Sequence, residues 1–417
     1  MREERTEVLV VGAGPVGLLT AILLAEAGIE VRIIDREERT TVRSYACALH
    51  PGTLKLLDRL GLAAPMIELG RRIEKIAFYD GPTRQAEVKL SQLGGAFPFM
   101  VILPQNAFED ALEQRLRKAG VAVNWNHRFN EVQSEADAVV ATVEELGATA
   151  TGYIVPHWET VVKQSFPLRA QFLIGADGYG SLVRQRLSID NNRVAGPEYF
   201  AAYEFEPGEK VEDEVRVVLD QASTNVLWPL LGNRCRWTFQ LLKSEMASEF
   251  PEKERRGGRV AQTTVDENIR QYVEKVAKRR APWFTAGVKG IAWCTEVVFE
   301  QRVANHFGRD RCWLVGDAAH QTGPVGVQSM NVGMGEAVSL AGTLRRILRE
   351  KAPLRLLEAC DQEWQAEWRR LLGLTGGLKP RNDSGPWVGE RRGRILSCLP
   401  ASHEDVAPLA GQLGLEF

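Results

Sequence analysis

The sequence predicts an α/β protein: a parallel-sheet nucleotide-binding domain, a β-rich domain set into it, and helices toward the C-terminal end. Three observations lead there. Strand, glycine turn, helix and second strand follow one another between residues 7 and 35, the order of a βαβ unit. The short apolar pattern of a buried strand returns at 172–174 and again at 311–316. Between about residues 190 and 295, the segments VRVVLD, NVLWPLL and RCRWTFQLL are rich in branched and aromatic residues, the texture of a separate sheet.

Taken in order, 7–11 is an apolar run ending in glycine, 15–27 reads as a helix stopped by Gly28, and 30–35 is a second apolar run. Residues 53–60 form a short amphipathic helix closed by Gly61. Strand-like stretches follow at 73–90 and 97–103, then a helix over 106–118 ended by Gly120, then a meander over 121–143. The charged stretch 243–278 reads as loop and helix, and 330–349 and 353–371 read as helices. The tail from about 376, with its Gly, Pro and Asp-Ser-Gly, is expected to pack loosely.

Composition narrows the function. The chain has 417 residues, 44% hydrophobic and 25% charged, which disfavours disordered, collagenous and coiled-coil readings. Its net charge of −2 gives no overall attraction to nucleic acid or an anionic membrane. The six cysteines contain no CxxC pair, so reduced thiols in a cytoplasmic protein are expected rather than a disulfide scaffold or zinc site. No HExxH pattern occurs, and no metal is expected. Residues 8–25 carry no charge, but Gly12, Gly14, Pro15 and Gly17 interrupt them. Strand, turn and helix are therefore expected there, not a signal peptide or membrane span.

The clearest chemistry is in VLVVGAGPVGLLTAILLAEAGIEVRIID. Gly12 permits the tight turn, Gly14 lets backbone approach a pyrophosphate, and Gly17 lets helix pack on strand. Pro15 opens the helix, whose amides and dipole face the phosphates. Asp35, followed by Arg36, ends the second strand 18 residues after Gly17, placed to accept hydrogen bonds from ribose hydroxyls. Strand before, helix after and acid in place make this a dinucleotide site of the Rossmann type. The motif alone does not separate FAD from NAD.

Two later motifs make that choice. FLIGADGYGSLVRQRL carries Asp177, Gly178, Ser181 and Arg184. CWLVGDAAHQTGPVGVQSMN carries Gly316, Asp317, His320, Pro324, Gly326, Ser329 and Asn331. With these, the sequence resembles the single-component (group A) flavin-dependent aromatic hydroxylases, which share the para-hydroxybenzoate hydroxylase fold. The resemblance extends to RSYACALHPGTLKLLDRLGL, with Arg43 at the family's arginine position, and to Gln105, where the family has a flavin-contacting glutamine.

The resemblance implies a discontinuous FAD-binding domain over 1–72, 98–186 and 296–350. It implies a substrate sheet over 73–97 and 187–295, and a C-terminal helix and tail over 351–417. FAD would lie with its adenosine half on Gly12, Gly14, Gly17 and Asp35. Asp317 would bond the ribityl and pyrophosphate region, and 324–331 would offer backbone N–H groups to the isoalloxazine. Asp177, Gly178 and Arg43 would sit near the pyrophosphate and the path of NADH or NADPH, for which no second fingerprint exists. The implied reaction is hydroxylation of a small phenolic or polycyclic aromatic by O2 through a flavin C4a-hydroperoxide. Rival readings are an epoxidase or reductase of the same fold, and a flavin-bound ligand carrier without catalysis. A homodimer is left open. Two positions depart from the family pattern: Ser329 stands where glycine is usual, and Glu336 where aspartate is usual.

Other residues are weighed against plain packing. His320 is read as a packing or hydrogen-bonding residue, and no catalytic residue is assigned. His50 and His306 receive no role. Trp228 and Trp237 are read as core rather than pocket, and so are Tyr199, Tyr203 and Phe205, which alternate at strand spacing. Cys47 lies beside the expected flavin, but a covalent link needs a depressed thiol pKa and is set aside. The absence of WxWxIP argues against a flavin halogenase, and the stretch after 376 is expected to be too short for a thioredoxin-like domain.

Overall fold

The computed structural model describes residues 4–40, 48–151, 157–242, 267–400 and 404–417. The strand Glu4–Val11 lies mid-sheet, parallel to Val31–Ile34 on one side and to the end of His157–Gly175 on the other. Val123–Asn124 and Cys312–Leu314 extend the parallel core outward. Val8, Leu9 and Val10 are wholly buried, as expected for a parallel strand covered on both faces. The helix Pro15–Glu26 is apolar nearly all round, and it packs against Gln105–Lys118 and Gln328–Glu350.

His157–Gly175 is a single strand of 19 residues, of which the hydrophobic pattern marks only the last turn of sequence. Its earlier part pairs antiparallel with Val139–Thr151. There every residue from Glu159 to Ser165 is exposed to water, so no apolar run announces it.

A second sheet runs in the order Val288–Phe299, Glu198–Pro207, Arg234–Leu241, Thr224–Leu230, Val215–Leu219, Lys75–Asp80, Thr83–Lys89. Its first-half strands 75–80 and 83–89 thus join strands from more than 100 residues later through the parallel pair Val215–Leu219 and Lys75–Asp80. One face carries Ala201, Tyr203, Phe205, Trp237 and Phe239 onto the helix Glu267–Arg280 and the rings of Trp283 and Phe284. Strand alternation sends Phe200, Ala202 and Glu204 to the other face. Of the stretch 243–278, the part before 267 lies outside the described residues.

The C-terminal stretch corrects the sequence reading. It is not loose: helices Pro386–Cys398 and Val406–Gly411 bury Ile395, Leu396, Leu399, Val406 and Leu409 in the main core. Gly385 and Pro386, read there as loop residues, are the N-cap and first residue of a helix, a position that favours proline because its missing N–H is unneeded.

Among the described residues, Cys235, Cys294, Cys312, Cys360 and Cys398 are free thiols. Burial pushes Cys235, Cys312 and Cys398 up to about 12 from an ordinary 9.0. The unfolded chain therefore loses these protons first as pH climbs past about 9, and the native state binds more. This contribution to stability is fully present below pH ~9 and shrinks from there toward pH ~12. Urea midpoints are expected to fall between about pH 9 and about pH 10.5, and a flat profile would contradict this burial.

Candidate functional site

Three separate stretches of chain meet at the C-terminal ends of the parallel strands. Gly12 has φ +108°, and a Cβ there would stand 2.3 Å from the Ala176 carbonyl oxygen and 2.8 Å from the Asp177 nitrogen. A Cβ on Gly17 would stand 2.0 Å from the Gly12 oxygen. These two glycines let the first turn press against the second motif. Val16 touches the third, since a Cβ on Gly316 or Gly333 would lie 3.1 or 3.0 Å from its side chain. The close approach at Gly333 has no counterpart in the sequence reading.

Gly14 behaves differently. It is the N-cap of Pro15–Glu26, with φ −71°, and nothing of the protein lies within 4 Å of where its Cβ would be. No side chain caps that helix, so its first amides are left for another acceptor. A backbone cradle that a Cβ would fill, bare of protein atoms, fits a pyrophosphate.

Asp35 holds the rim of this cradle. Its carboxylate accepts from the Ala13 amide at 2.6 Å and from the Glu37 amide at 2.8 Å. Burial pushes its pKa up, and the two amides oppose the shift. Arg36, just past the strand Val31–Ile34, extends into solvent and pairs with Glu37. Arg43 and Cys47 lie outside the described residues.

The second motif is braced by its own acid. Asp177 accepts from the Ser181 hydroxyl at 2.5 Å and from the Leu182 and Val183 amides at 2.7 and 3.1 Å. It thus closes the loop onto the short helix Leu182–Arg186. Burial raises its pKa against these hydrogen bonds. Gly178, at φ +79°, makes the turn between them. Arg184, itself buried, donates to the Ala318 carbonyl at 2.6 Å and to the Tyr179 carbonyl at 3.0 Å, tying the second motif to the third. Gln105 opens the helix Gln105–Lys118 and donates to the buried Glu109 at 2.8 Å.

In the third motif Gly316 turns with φ +62°, and Asp317 projects into solvent at the cradle. Val327 sits in the left-handed region, φ 51°, and caps the 23-residue helix Gln328–Glu350. For a β-branched residue that is a strained conformation. The chain around it holds the strain. Asn331 accepts from the His50 amide and the Thr53 hydroxyl, each at 2.8 Å, and donates to the Ala48 and Val327 carbonyls. Its side chain is a bracket between two segments, with all four hydrogen bonds spent inside the protein. His50 adds Nε2 against the Gly326 carbonyl at 2.9 Å, a role invisible in the sequence because its partner is 276 positions away.

The C-terminal helix completes the bracket. Gln328 donates to the carbonyls of Leu396 and Leu399 at 2.7 and 3.0 Å, and a Cβ on Gly326 would strike the Ser397 oxygen at 2.2 Å. Gln328→Ala strands two buried acceptors and is expected to cost about 1–3 kcal/mol, read from urea unfolding. An unchanged midpoint would refute the bracket.

Beside the third motif, Pro324 stands in the wall of a small cavity with Phe200, Trp228, Trp293, Thr295 and Phe299. Arg236 and Trp293 are shared with a larger cleft of about 310 Å³, which Pro104, Asn106, Glu204 and Leu230 also line. Arg236 is buried, ion-paired with Glu204 and lies 5.5 Å from the Trp293 ring centre. Trp237, Tyr203 and Phe205 are core, as read from the sequence. Trp228 is buried yet lines the cavity, and on the strand Glu198–Pro207 the pocket face is the even-numbered one, Phe200 and Ala202. Among the described residues no cluster of three or more His, Cys, Asp or Glu is arranged to hold a metal, and no helix is long and apolar enough to cross a membrane.

Comparison with known proteins decides the family. Residues 5–372 match the FAD binding domain family. The chain belongs to that family. FAD is therefore the cofactor of this fold, with the Rossmann-type sheet and the second sheet as its two parts. The FAD-binding chain is 26% identical over 413 residues to 6-methylpretetramide 4-monooxygenase of Streptomyces rimosus, covering 99% of this chain and 65% of that protein. It is 28% identical over 366 residues to para-nitrophenol 4-monooxygenase of a Pseudomonas species, covering 84% and 80%. Against the first of these it spans just under two thirds of the relative's length. The crystal structure of a p-nitrophenol 4-monooxygenase from Pseudomonas putida shares its fold, with a TM-score of 0.74 at 22% identity over 96% of this chain and 91% of that one.

Proposed function

We propose that this protein is an FAD-dependent monooxygenase that takes electrons from NADH or NADPH and hydroxylates a small aromatic molecule with O2. The observation that carries this reading is that Pro324, in the motif that would face the flavin, also lines the wall of the aromatic cavity. Cofactor and substrate spaces would then adjoin.

The residues divide the work. Amides after Gly12 and around Gly14 would bind the pyrophosphate, and Asp35 would accept from ribose hydroxyls. Asp177 and Gly178 would shape the pyrophosphate side, and Gln105 would contact the flavin from its helix start. Asp317 would accept from ribityl hydroxyls. Backbone N–H groups after Pro324, from Val325 through Gly326 to Ser329, with the start of the helix that Asn331 brackets, would face the flavin's N1–C2 edge and favour negative charge there. FAD supplies electron transfer and oxygen activation when bound. Trp293, shared by the small cavity and the 310 Å³ cleft, would flank a flat ring with Pro104 and Leu230 and exclude water. The Glu204–Arg236 pair keeps one polar group at the cavity wall, suited to a phenolic oxygen.

The test is isotopic. With NAD(P)H, a panel of phenols and 18O2, the hydroxylated product is expected to carry one labelled oxygen. Turnover that reduces the substrate without label would assign the chain to reductase chemistry. FAD binding with no NAD(P)H consumption on any aromatic would favour a carrier.

A further inference from the structure

We propose that Ser329 is a positioning residue that acts with the buried pair His320 and Glu336 to fix Asp317 at the cofactor cradle. This inference rests on the FAD site described above. Ser329 and Glu336 are the two places where the sequence leaves the family pattern, and they are joined through one imidazole. The Ser329 hydroxyl donates to Asp317 Oδ1. Its lone pair then accepts from His320 Nδ1–H at 3.3 Å. His320 Nε2 faces the Glu336 carboxylate at 2.9–3.0 Å. Glu336 also accepts from the Gly316 amide at 2.8 Å and from Trp368 Nε1–H at 2.6 Å.

The direction of each bond follows from the donors available. Gly316 N–H and Trp368 N–H can only donate, so both lone-pair faces of Glu336 are engaged. With Asp317 as acceptor, the serine hydroxyl has to accept from the ring, which fixes Nδ1 as protonated. The ring is held in plane by the Trp368 indole, stacked at 3.8 Å, and His320 and Glu336 are 0% and 2% exposed.

The two departures therefore compensate one another. Glycine at 329 leaves Nδ1 unpartnered and lets the exposed Asp317 carboxylate swing. Aspartate at 336 is one methylene short of spanning Gly316, Trp368 and His320 together. With both residues as they stand, Asp317 presents Oδ2, which has no protein partner among the described residues, in one fixed orientation. Its ligand is a hydroxyl donor, as on a polyol chain. Preorganising that acceptor strengthens binding without adding a contact.

The experiment titrates apo-protein with FAD by flavin fluorescence and records the visible spectrum and midpoint potential of the bound flavin. S329A is expected to weaken FAD binding about 10-fold and to shift the bound spectrum, with its melting temperature held near wild type. S329T, which restores the hydroxyl, is expected to recover both. E336Q is expected to weaken binding similarly, and S329A/E336Q to be no weaker than either single variant, because both cut one chain. S329A with wild-type affinity and spectrum overturns the proposal, as do single effects that multiply in the double variant. Should E336Q not fold, the S329A and S329T pair decides alone. Wild-type protein that takes up no FAD would count against the FAD site itself, not against this chain of bonds.

Discussion

Gly12→Ala is expected to unfold the nucleotide turn and to abolish FAD uptake. The added methyl meets the Ala176 carbonyl oxygen at 2.3 Å and the Asp177 nitrogen at 2.8 Å. Both are backbone atoms, so no rotamer change relieves the clash. The backbone angle of +108° adds a conformational cost that glycine escapes. Together they should exceed about 3 kcal/mol, read from urea unfolding. Gly14→Ala is the control of identical chemistry. Its methyl meets no protein atom within 4 Å, at an ordinary φ of −71°. Stability should drop by no more than about 1 kcal/mol, the usual penalty for alanine at an N-cap, while FAD affinity collapses because the methyl fills the phosphate space. If Gly14→Ala kept its FAD, that space would not be where the pyrophosphate lies.

Glu336→Ala is the second large effect. The carboxylate is 2% exposed and serves the Gly316 amide, the Trp368 indole and the His320 ring. Removing it strands two obligate donors and an imidazole in a dry core. About 3–5 kcal/mol of stability should be lost, the usual result of breaking one side of a buried pair. The loss should appear in urea unfolding of the apo-protein, since the damage is to the fold itself. A loss under about 1 kcal/mol would mean that water enters the cluster and the network is not closed.

Much of this was legible in the residues. The βαβ unit announced itself because a parallel strand buried on both faces must be apolar, and Gly17 and Asp35 each answer a steric or bonding demand made within 30 residues, at the Gly12 carbonyl and the Ala13 amide. The long hairpin escaped because its outer half is exposed to water throughout and carries no apolar pattern. The tail was misread because Gly385-Pro386 looks like a loop and is equally a helix start. At the site, Asn331 was picked out by resemblance, yet its side chain serves as a bracket to His50 and Thr53. His50, Gln328 and Arg236 had no local signal, since their partners are far away in sequence or on a facing strand. His320 was read as a packing or hydrogen-bonding residue, and its link to both Ser329 and Glu336 needed three dimensions.

The most direct check on the central claim is the amount of FAD released by heat from purified, flavin-reconstituted protein. One FAD per chain, freed without a covalent remnant, is the expected result. Protein that stays colourless after reconstitution, or that yields nicotinamide nucleotide in its place, would contradict it.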